Sequence, residues 1–161
     1  NVDSPENFTD LLDSLNAIAE KYNYPIIVST HPRTKIKLES LKRTDLNPLI
    51  QFLKPLGFFD YIKMQKKAYC VISDSGTISE ESSILNFPAI TIRQAHERPE
   101  AMEEASVMMV GNNPERVMQG LVQLEQQQTG AQRNFRLVTD YSIPNVSAKV
   151  VRIILSYTDY I

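Results

Sequence analysis

The stretch Asp74–Glu81 places hydroxyl side chains on both sides of a glycine and ends in two carboxylates. A short apolar run, which predicts a buried strand, precedes it, and a helical pattern follows. A turn between strand and helix offers backbone N–H groups and the positive end of a helix dipole to an anion. Ser75 and Thr77 add hydroxyl donors, and Gly76 lets a ligand approach the backbone. The stretch predicts a phosphate site, and a plain helix cap is the alternative interpretation.

The two carboxylates, Glu80 and Glu81, fall in the first turn of that predicted helix. A carboxylate there suits the helix dipole, and nucleotide sites use one to bind ribose hydroxyls. Glu81 lies about one helical turn beyond Thr77, whereas Glu80 points about 100° away from Glu81. We therefore expect Glu81 to bind a ribose next to phosphates held by Ser75, Gly76 and Thr77.

A second polar block, residues 93–100, contains two arginines, a histidine and two glutamates. It follows the predicted strand 88–92, and open parallel sheets bind ligands at the carboxyl ends of their strands. Arg98 precedes a proline that restricts its backbone, and its guanidinium matches phosphate oxygens. Arg98 is therefore predicted to bind a diphosphate. The alternative is a salt bridge to Glu97 or Glu100.

His31 and Arg93 are the other strand-end candidates. His31 ends the predicted strand 25–30, so it is either a contact for diphosphate or sugar or a residue bonded to a nearby loop. Arg93 is expected to brace Glu80 or Glu81. The two histidines and the single cysteine have no spacing typical of metal ligands, so we expect no metal site.

Strands and helices alternate along the chain to position these groups. The predicted strands cover residues 25–30, 49–53, 68–73, 88–92 and 107–110. The predicted helices cover residues 5–22, 34–42, 59–67, 79–85, 99–105, 113–124 and 145–157, with a loop at 125–135. Five buried strands separated by helices predict an α/β domain with a doubly wound, mostly parallel, Rossmann-like sheet.

Composition narrows the class of protein. The 161 residues are 42% apolar and 22% charged, as in ordinary globular proteins. A net charge of −2 gives no reason to expect nucleic acid or an anionic membrane as a partner, and no apolar run reaches membrane-spanning length. The single cysteine, Cys70, is compatible with a reducing cytoplasm. The chain lacks an initial Met, and we expect residues 1–161 to form one domain of a longer protein.

Three consecutive motifs carry a family resemblance: D-S-G-T-I-S-E-E, N-F-P-A-I-T-I-R and H-E-R-P-E-A. They resemble the non-hydrolysing UDP-N-acetylglucosamine 2-epimerase family, whose common form is D-S-G-G-I-Q-E-E followed by T-E-R-P-E. The chain departs from that form at Thr77, Ser79 and His96. These departures are similar to the branch that makes UDP-N-acetyl-L-fucosamine from a 6-deoxy sugar nucleotide.

The resemblance implies the C-terminal half of a glycosyltransferase-B type fold, with a missing N-terminal domain and the UDP-sugar in the cleft between them. It also implies a homodimer and a role in cell-surface polysaccharide synthesis. The backbone around Leu56 and Tyr61 would hold the uracil, and His31 would face the ligand.

The mechanism implied by the resemblance needs no cofactor. UDP leaves by anti elimination across C1 and C2, and its re-addition inverts C2, so carboxylates must act as acid and base. The family supplies these acids mostly from the other half, and the only candidates here are Glu80, Glu97 and Glu100. Three alternatives remain: an epimerase of UDP-N-acetylglucosamine itself, the nucleotide-binding half of a glycosyltransferase, and a UDP-binding module without chemistry.

Overall fold

The computed structural model describes residues 4–95 and 97–159, and in them helices and strands alternate as predicted. The helices are α1 (Pro5–Tyr22), α2 (Pro32–Leu41), α3 (Phe58–Lys67), α4 (Ile78–Leu85), α5 (Pro99–Glu103), α6 (Pro114–Leu124) and α7 (Val146–Tyr157). The strands are β1 (Ile26–Ser29), β2 (Ile50–Leu53), β3 (Val71–Ser73), β4 (Ala89–Thr91) and β5 (Met108–Met109). A short 3-10 turn, Thr139–Tyr141, was not predicted from the sequence.

Local side chains account for several helix ends. Ser4 caps α1 by accepting a hydrogen bond from the N–H of Asn7, and Pro5 occupies the first helical position. Asn23 and Asn86 end α1 and α4 in the left-handed conformation, with φ of 52° and 53°. Asparagine tolerates this conformation better than most residues. The predicted start of α1 and the predicted end of α4 are therefore confirmed.

Parallel pairing is confirmed for every strand among the described residues, but the strands pair in two groups. One group is β1–β2 and the other is β3–β4–β5. The expected single ladder is interrupted between β1 and β3. Both groups nevertheless pack on one cluster, because Ile26 of β1 and Ile72 of β3 contact the core that contains Ile90 and Leu121.

Helices cover both faces of the β3–β4–β5 sheet, as a doubly wound fold requires. Neighbouring side chains of a strand point to opposite faces. Ile90 lies in a buried cluster with Ile18 of α1 and Leu121 of α6. Ala89, the preceding residue, lies in another cluster with Ile78 of α4. The parallel register brings the carboxyl ends of β3 and β4 to one edge, where Ser73 and the residues after Thr91 begin the site.

The last helix, α7, is present as predicted but contains no buried residue. Its large apolar side chains are exposed at Val146, Val150, Val151, Ile153, Ile154, Leu155 and Tyr157. In the part of the chain that the structure describes, no helix has the length and hydropathy needed to cross a bilayer.

Candidate functional site

The turn before α4 is held by its own hydroxyl groups. Ser73 Oγ accepts a hydrogen bond from the N–H of Ser75 at 3.0 Å, and Ser75 Oγ lies 2.9 Å from Thr77 Oγ1. Thr77 occupies the N-cap position, yet its side chain caps no N–H group of the helix. The plain capping interpretation therefore does not describe Thr77. Within residues 4–95 and 97–159, the N–H of Gly76 has no protein acceptor.

Gly76 lies close to charged side chains of the loop after β4. A methyl group in place of its hydrogen would lie 3.4 Å from Glu97 Oε2, 3.8 Å from Arg93 Nη1 and 3.9 Å from Arg98 Nη2. The φ of Gly76 is not positive, and a methyl group would meet these side-chain atoms at ordinary van der Waals distances, so the glycine is required neither by backbone conformation nor by lack of space. Charged groups therefore converge on the turn, as the sequence predicted for the edge of the sheet.

A small cavity of about 10 Å³ lies between the turn and this loop. Its described lining residues are Ser75, Gly76, Ile78, Ser79, Thr91, Arg93, Ala95, Glu97, Arg98, Met102 and Met109. Three residues proposed from sequence for the diphosphate, Ser75, Gly76 and Arg98, thus share one cavity. Its volume is about that needed for one water molecule.

Arg98 pairs with the carboxylate of Glu80. Its Nε donates to Glu80 Oε1 at 2.9 Å, and its Nη1 donates to the backbone carbonyl of Glu97 at 3.2 Å. The alternative interpretation of Arg98, a salt bridge to the carboxylate of Glu97 or Glu100, is therefore wrong, because the carboxylate partner is Glu80. The hydrogen bond that Arg98 donates to Glu80 is the main cause of the raised pKa of Arg98. Helix α4 presents Glu80 across the sheet edge, a pairing that sequence distance does not reveal.

Arg93 also has a partner other than the expected one. We expected it to brace Glu80 or Glu81, but both of its terminal nitrogens donate to the carboxylate of Glu97. The two residues are four positions apart in one loop, so the short span between them favours this pair over one with α4. The loop thereby carries its own ion pair beside the cavity.

Glu100 is held by a tyrosine. Tyr141 Oη donates to Glu100 Oε1 at 2.7 Å, which lowers the pKa of the Glu100 carboxyl. Burial, followed by this hydrogen bond, raises the pKa of Tyr141. Each of the three candidate acids of this chain, Glu80, Glu97 and Glu100, therefore has a partner in the protein.

A second polar group joins α3 to α4. Gln65 is buried, and its Nε2 donates to Glu81 Oε2 at 2.5 Å. Burial raises the pKa of Tyr61, and the negative charge of Glu81 raises it further. The predicted ribose ligand Glu81 and the predicted uracil residue Tyr61 are thus neighbours. Gln65 was missed from sequence, although it lies one helical turn after Tyr61 on an amphipathic helix.

His31 and Leu56 are not among the residues that line the cavity at Gly76. His31 is exposed at the N-cap of α2, where its Nδ1 accepts a hydrogen bond from the N–H of Arg33 at 3.4 Å. Leu56 is half-buried in the loop between β2 and α3. His96, one of the branch-specific departures, lies outside the described residues. Among the residues that are described, no three His, Cys, Asp or Glu side chains cluster as metal ligands do.

The segment 128–141 supports α4 from behind. Ser83 Oγ accepts a hydrogen bond from the N–H of Val138 at 3.0 Å, and Asn86 Nδ2 donates to the carbonyl of Gly130 at 2.9 Å. Arg133 donates to the carbonyls of Ser83 and Ile84 at 2.8 and 2.9 Å, near the C-terminal end of the helix. The sequence predicted only a loop over part of this segment. Its contacts position the helix whose first turn faces the cavity.

Comparisons with known proteins point to one family. A family model described as UDP-N-acetylglucosamine 2-epimerase matches residues 1–155. The UDP-N-acetylglucosamine 2-epimerase of Methanococcus maripaludis is 36% identical over 121 residues, which are 73% of this chain and 33% of that protein. The protein of the same description from Methanocaldococcus jannaschii is 35% identical over 124 residues, which are 75% of this chain and 34% of that protein.

Solved structures also match nearly the whole chain. A UDP-N-acetylglucosamine 2-epimerase from Rickettsia bellii is 45% identical, with a TM-score of 0.85, and the match covers 98% of this chain and 43% of that one. A UDP-GlcNAc 2-epimerase from Methanocaldococcus jannaschii, in complex with UDP-GlcNAc and UDP, is 30% identical, with a TM-score of 0.84 and coverage of 97% and 42%. The chain spans about a third of the length of the curated relatives that it matches.

Proposed function

Because this chain belongs to the UDP-N-acetylglucosamine 2-epimerase family, we propose that it is the UDP-binding domain of an enzyme that inverts C2 of a UDP-2-acetamido sugar. The observation that carries this proposal is the convergence of Ser75, Gly76 and Arg98 on one cavity at the N-terminus of α4. Backbone N–H groups, hydroxyls and a guanidinium are the donors that a diphosphate requires. The similar Methanocaldococcus jannaschii enzyme was solved in complex with UDP-GlcNAc and UDP.

The turn and Arg98 would hold the diphosphate. Ser75 and Thr77 donate hydroxyl hydrogen bonds, and Gly76 admits the phosphate to its unpaired N–H. Arg98 keeps Nη2 directed near Gly76 while Glu80 accepts from its Nε. A guanidinium oriented in this way stabilises the charge that grows on UDP when the C1–O bond breaks.

The nucleoside would extend from the diphosphate towards α3. Glu81 lies one helical turn beyond Thr77 and adjoins Tyr61, so its carboxylate is placed to accept from ribose hydroxyls. The backbone around Leu56 and Tyr61 would then hold the uracil. His31, at the end of β1, would contact the diphosphate or the sugar from the neighbouring strand group.

The chemistry itself is anti elimination of UDP across C1 and C2, followed by re-addition to the other face. A proton must leave C2 and return on the opposite side, which requires an acid and a base. The three candidate acids of this chain already accept hydrogen bonds within the protein. The donors are Arg98 for Glu80, Arg93 for Glu97 and Tyr141 for Glu100. We therefore assign the main catalytic acids to the other half of the enzyme and propose no cofactor.

The other half of the protein is the partner that we propose for this domain. The matched structures are more than twice as long as this chain, and α7 exposes apolar side chains that a monomeric domain would bury. We propose that α7 packs on the missing N-terminal domain, that the sugar lies between the two domains, and that the full-length enzyme is a homodimer in the cytoplasm.

The proposal also specifies which sugar nucleotide the enzyme prefers. Family membership supports UDP-N-acetylglucosamine as a substrate class. Thr77 and Ser79, together with His96, depart from the common motif and favour a 6-deoxy-L-hexosamine nucleotide that yields UDP-N-acetyl-L-fucosamine for surface polysaccharides. Thr77 lies on the turn and Ser79 lies in the first turn of α4, next to the proposed diphosphate.

The test is isotope exchange by the full-length protein in deuterated water. An epimerase places deuterium at C2 of its UDP-2-acetamido sugar, because the proton that returns comes from solvent. Transfer of the sugar to an acceptor instead would support the glycosyltransferase alternative, and binding without exchange would leave a UDP-binding module. Comparing kcat/KM for UDP-N-acetylglucosamine and for the 6-deoxy-L substrate then decides the branch, and equal values would contradict it.

A further inference from the structure

The carboxylate of Glu97 lies where an anion bound to the turn would lie. Its Oε2 is 3.4 Å from the position of a methyl group on Gly76, closer than either nearby guanidinium nitrogen. An anionic oxygen therefore already stands beside the glycine that the proposed diphosphate site uses. Arg93 and Arg98 lie on either side of it, within 3.9 Å of the same position.

The same carboxylate also binds Arg93. Its Nη1 donates to Glu97 Oε2 at 2.7 Å, and its Nη2 donates to Glu97 Oε1. This contact is bidentate, and a guanidinium binds a phosphate with the same geometry. The neighbouring cavity, about 10 Å³, has space for about one water molecule. When the carboxylate leaves, it vacates space for a phosphate. The same movement frees both terminal nitrogens of Arg93.

We propose that Glu97 is a built-in competitor for the diphosphate. The inference rests on the proposed function, because it presumes that the turn and Arg98 receive the phosphates of UDP. When UDP binds, a phosphate replaces the Glu97 carboxylate beside Gly76 and on Arg93, and Glu97 moves into water. When UDP leaves, the carboxylate returns and neutralises Arg93.

The carboxylate of Glu97, which lines the cavity, and that of Glu80, which accepts from Arg98, differ in how easily they can leave. The side chain of Glu97 is 47% exposed, and that of Glu80 is 31% exposed with a buried Oε2. Moving Glu97 into water hydrates its carboxylate and breaks mainly its ion pair with Arg93, and Glu97 itself lies outside the helices and strands. Glu80 instead stays with Arg98 and keeps that guanidinium oriented.

This exchange would shorten the time for which UDP stays bound. A competing carboxylate lowers the affinity for the diphosphate, and affinity differences within one site arise mostly from the dissociation rate. An enzyme that releases UDP from C1 and adds it back needs the diphosphate to be held and also to be released. Glu97 is thus a positioning residue for Arg93 and a regulator of release.

Calorimetry with UDP and with inorganic pyrophosphate tests the proposal on the 161-residue chain. Glu97→Gln keeps the size of the side chain and removes its charge, so both ligands should bind about fivefold more tightly. Glu97→Ala should change affinity in the same direction. Glu103→Gln removes the same charge from an exposed position at the end of α5, and its affinities should stay within about twofold of the wild type. Thermal melts show whether each variant is folded.

The outcomes separate this inference from the proposed function. Unchanged or weaker pyrophosphate binding in Glu97→Gln, or an equal gain in Glu103→Gln, overturns the competition. Tighter pyrophosphate binding in Glu97→Gln without any binding of UDP supports the competition and contradicts the nucleotide assignment. If neither the wild type nor the variants bind pyrophosphate, the turn is not an anion site and both proposals fail.

Discussion

Individual residues around the turn before α4 are distinguished by the charge of their partners. Four glutamates lie near this turn, and two of them are paired with cations. The partners are Arg98 for Glu80, Arg93 for Glu97, Gln65 for Glu81 and Tyr141 for Glu100. Because Gln65 is neutral, the charge of Glu81 is not cancelled by its contact. Glu81 therefore remains the carboxylate best suited to bind hydroxyl groups of a nucleotide.

Replacing Glu81 with glutamine should weaken UDP binding about tenfold or more. The change keeps the shape but removes the charge, and charge-assisted hydrogen bonds contribute about 1.5–3 kcal/mol each. Glu80→Gln is the matched control, since an amide oxygen can still accept from Arg98 Nε, and we expect a smaller loss. Calorimetry with UDP and 2′-deoxy-UDP measures both effects. A larger loss in Glu80→Gln would show that the ribose assignment is wrong.

Secondary-structure elements hold the site through α4, whose rear is fixed by buried hydroxyls. Ser82 Oγ is a donor to two backbone carbonyls, those of Phe87 at 3.0 Å and Ser106 at 2.7 Å. These bonds connect α4 to the short segment before β4 and to the loop before β5. The first turn of α4 therefore keeps its position relative to the loop that carries Arg98.

Removing the hydroxyl in Ser82→Ala should lower the free energy of unfolding by about 1–3 kcal/mol, because buried carbonyls lose their donor. Ser156→Ala is the control. Its hydroxyl bonds to the carbonyl of Arg152 in the exposed helix α7, and a change within about 0.5 kcal/mol is expected. Urea denaturation followed by circular dichroism measures both. Equal effects would mean that the α4 contacts carry no special stability.

The 3-10 turn is attached to α5 by a hydrogen bond that depends on pH. Tyr141 lowers the pKa of Glu100, so this contact stabilises the fold above the ordinary pKa of a glutamate, and the contribution is lost as pH falls through the lowered value. Tyr141→Phe should therefore reduce Tm at pH 7, and the difference from wild type should narrow below about pH 4. A difference that stays constant from pH 7 to pH 3 would contradict the linkage.

The molecule as a whole exposes one helix that an isolated domain does not need. On α7, Val150 and Ile154 lie four residues apart on one side, exposed by 47% and 59%. Apolar surface of this kind marks an interface. The domain core, formed by α1, α6 and the strands, does not depend on it. We therefore expect the 161-residue chain to fold alone and to lack epimerase activity.

The double variant Val150→Asp/Ile154→Asp should leave the Tm of the 161-residue chain within about 1 °C, because both side chains already face water. In the full-length protein the same changes should lower Tm and epimerase activity, since two carboxylates would be buried against the N-terminal domain. Ser147→Asp, also exposed on α7, is the control for added charge. Full activity and stability of the full-length double variant would contradict the packing of α7 on the N-terminal domain. Epimerisation by the 161-residue chain alone would contradict the assignment of the main catalytic acids to the other half.

The amino-acid sequence by itself determined the order of elements and the position of the site along the chain. Local signals sufficed, because Ser4, Pro5 and Asn86 mark helix ends through their own backbone and side-chain chemistry. Apolar runs identified the strands, with ends that differ from the observed ones by at most three residues. The glycine turn and the arginine-rich loop were predictable because the carboxyl ends of adjacent parallel strands must meet at one edge.

Only the tertiary structure decided which charged groups pair across that edge. Arg98 donates a hydrogen bond to Glu80, eighteen positions away, and not to the carboxylates of the adjacent glutamates. The buried Gln65 donates one to Glu81. Such pairings depend on the direction of each side chain and on the packing of α4 against the sheet, so spacing along the chain does not encode them. The exposed face of α7 likewise emerged from packing, because an amphipathic pattern does not reveal whether its apolar side has found a partner.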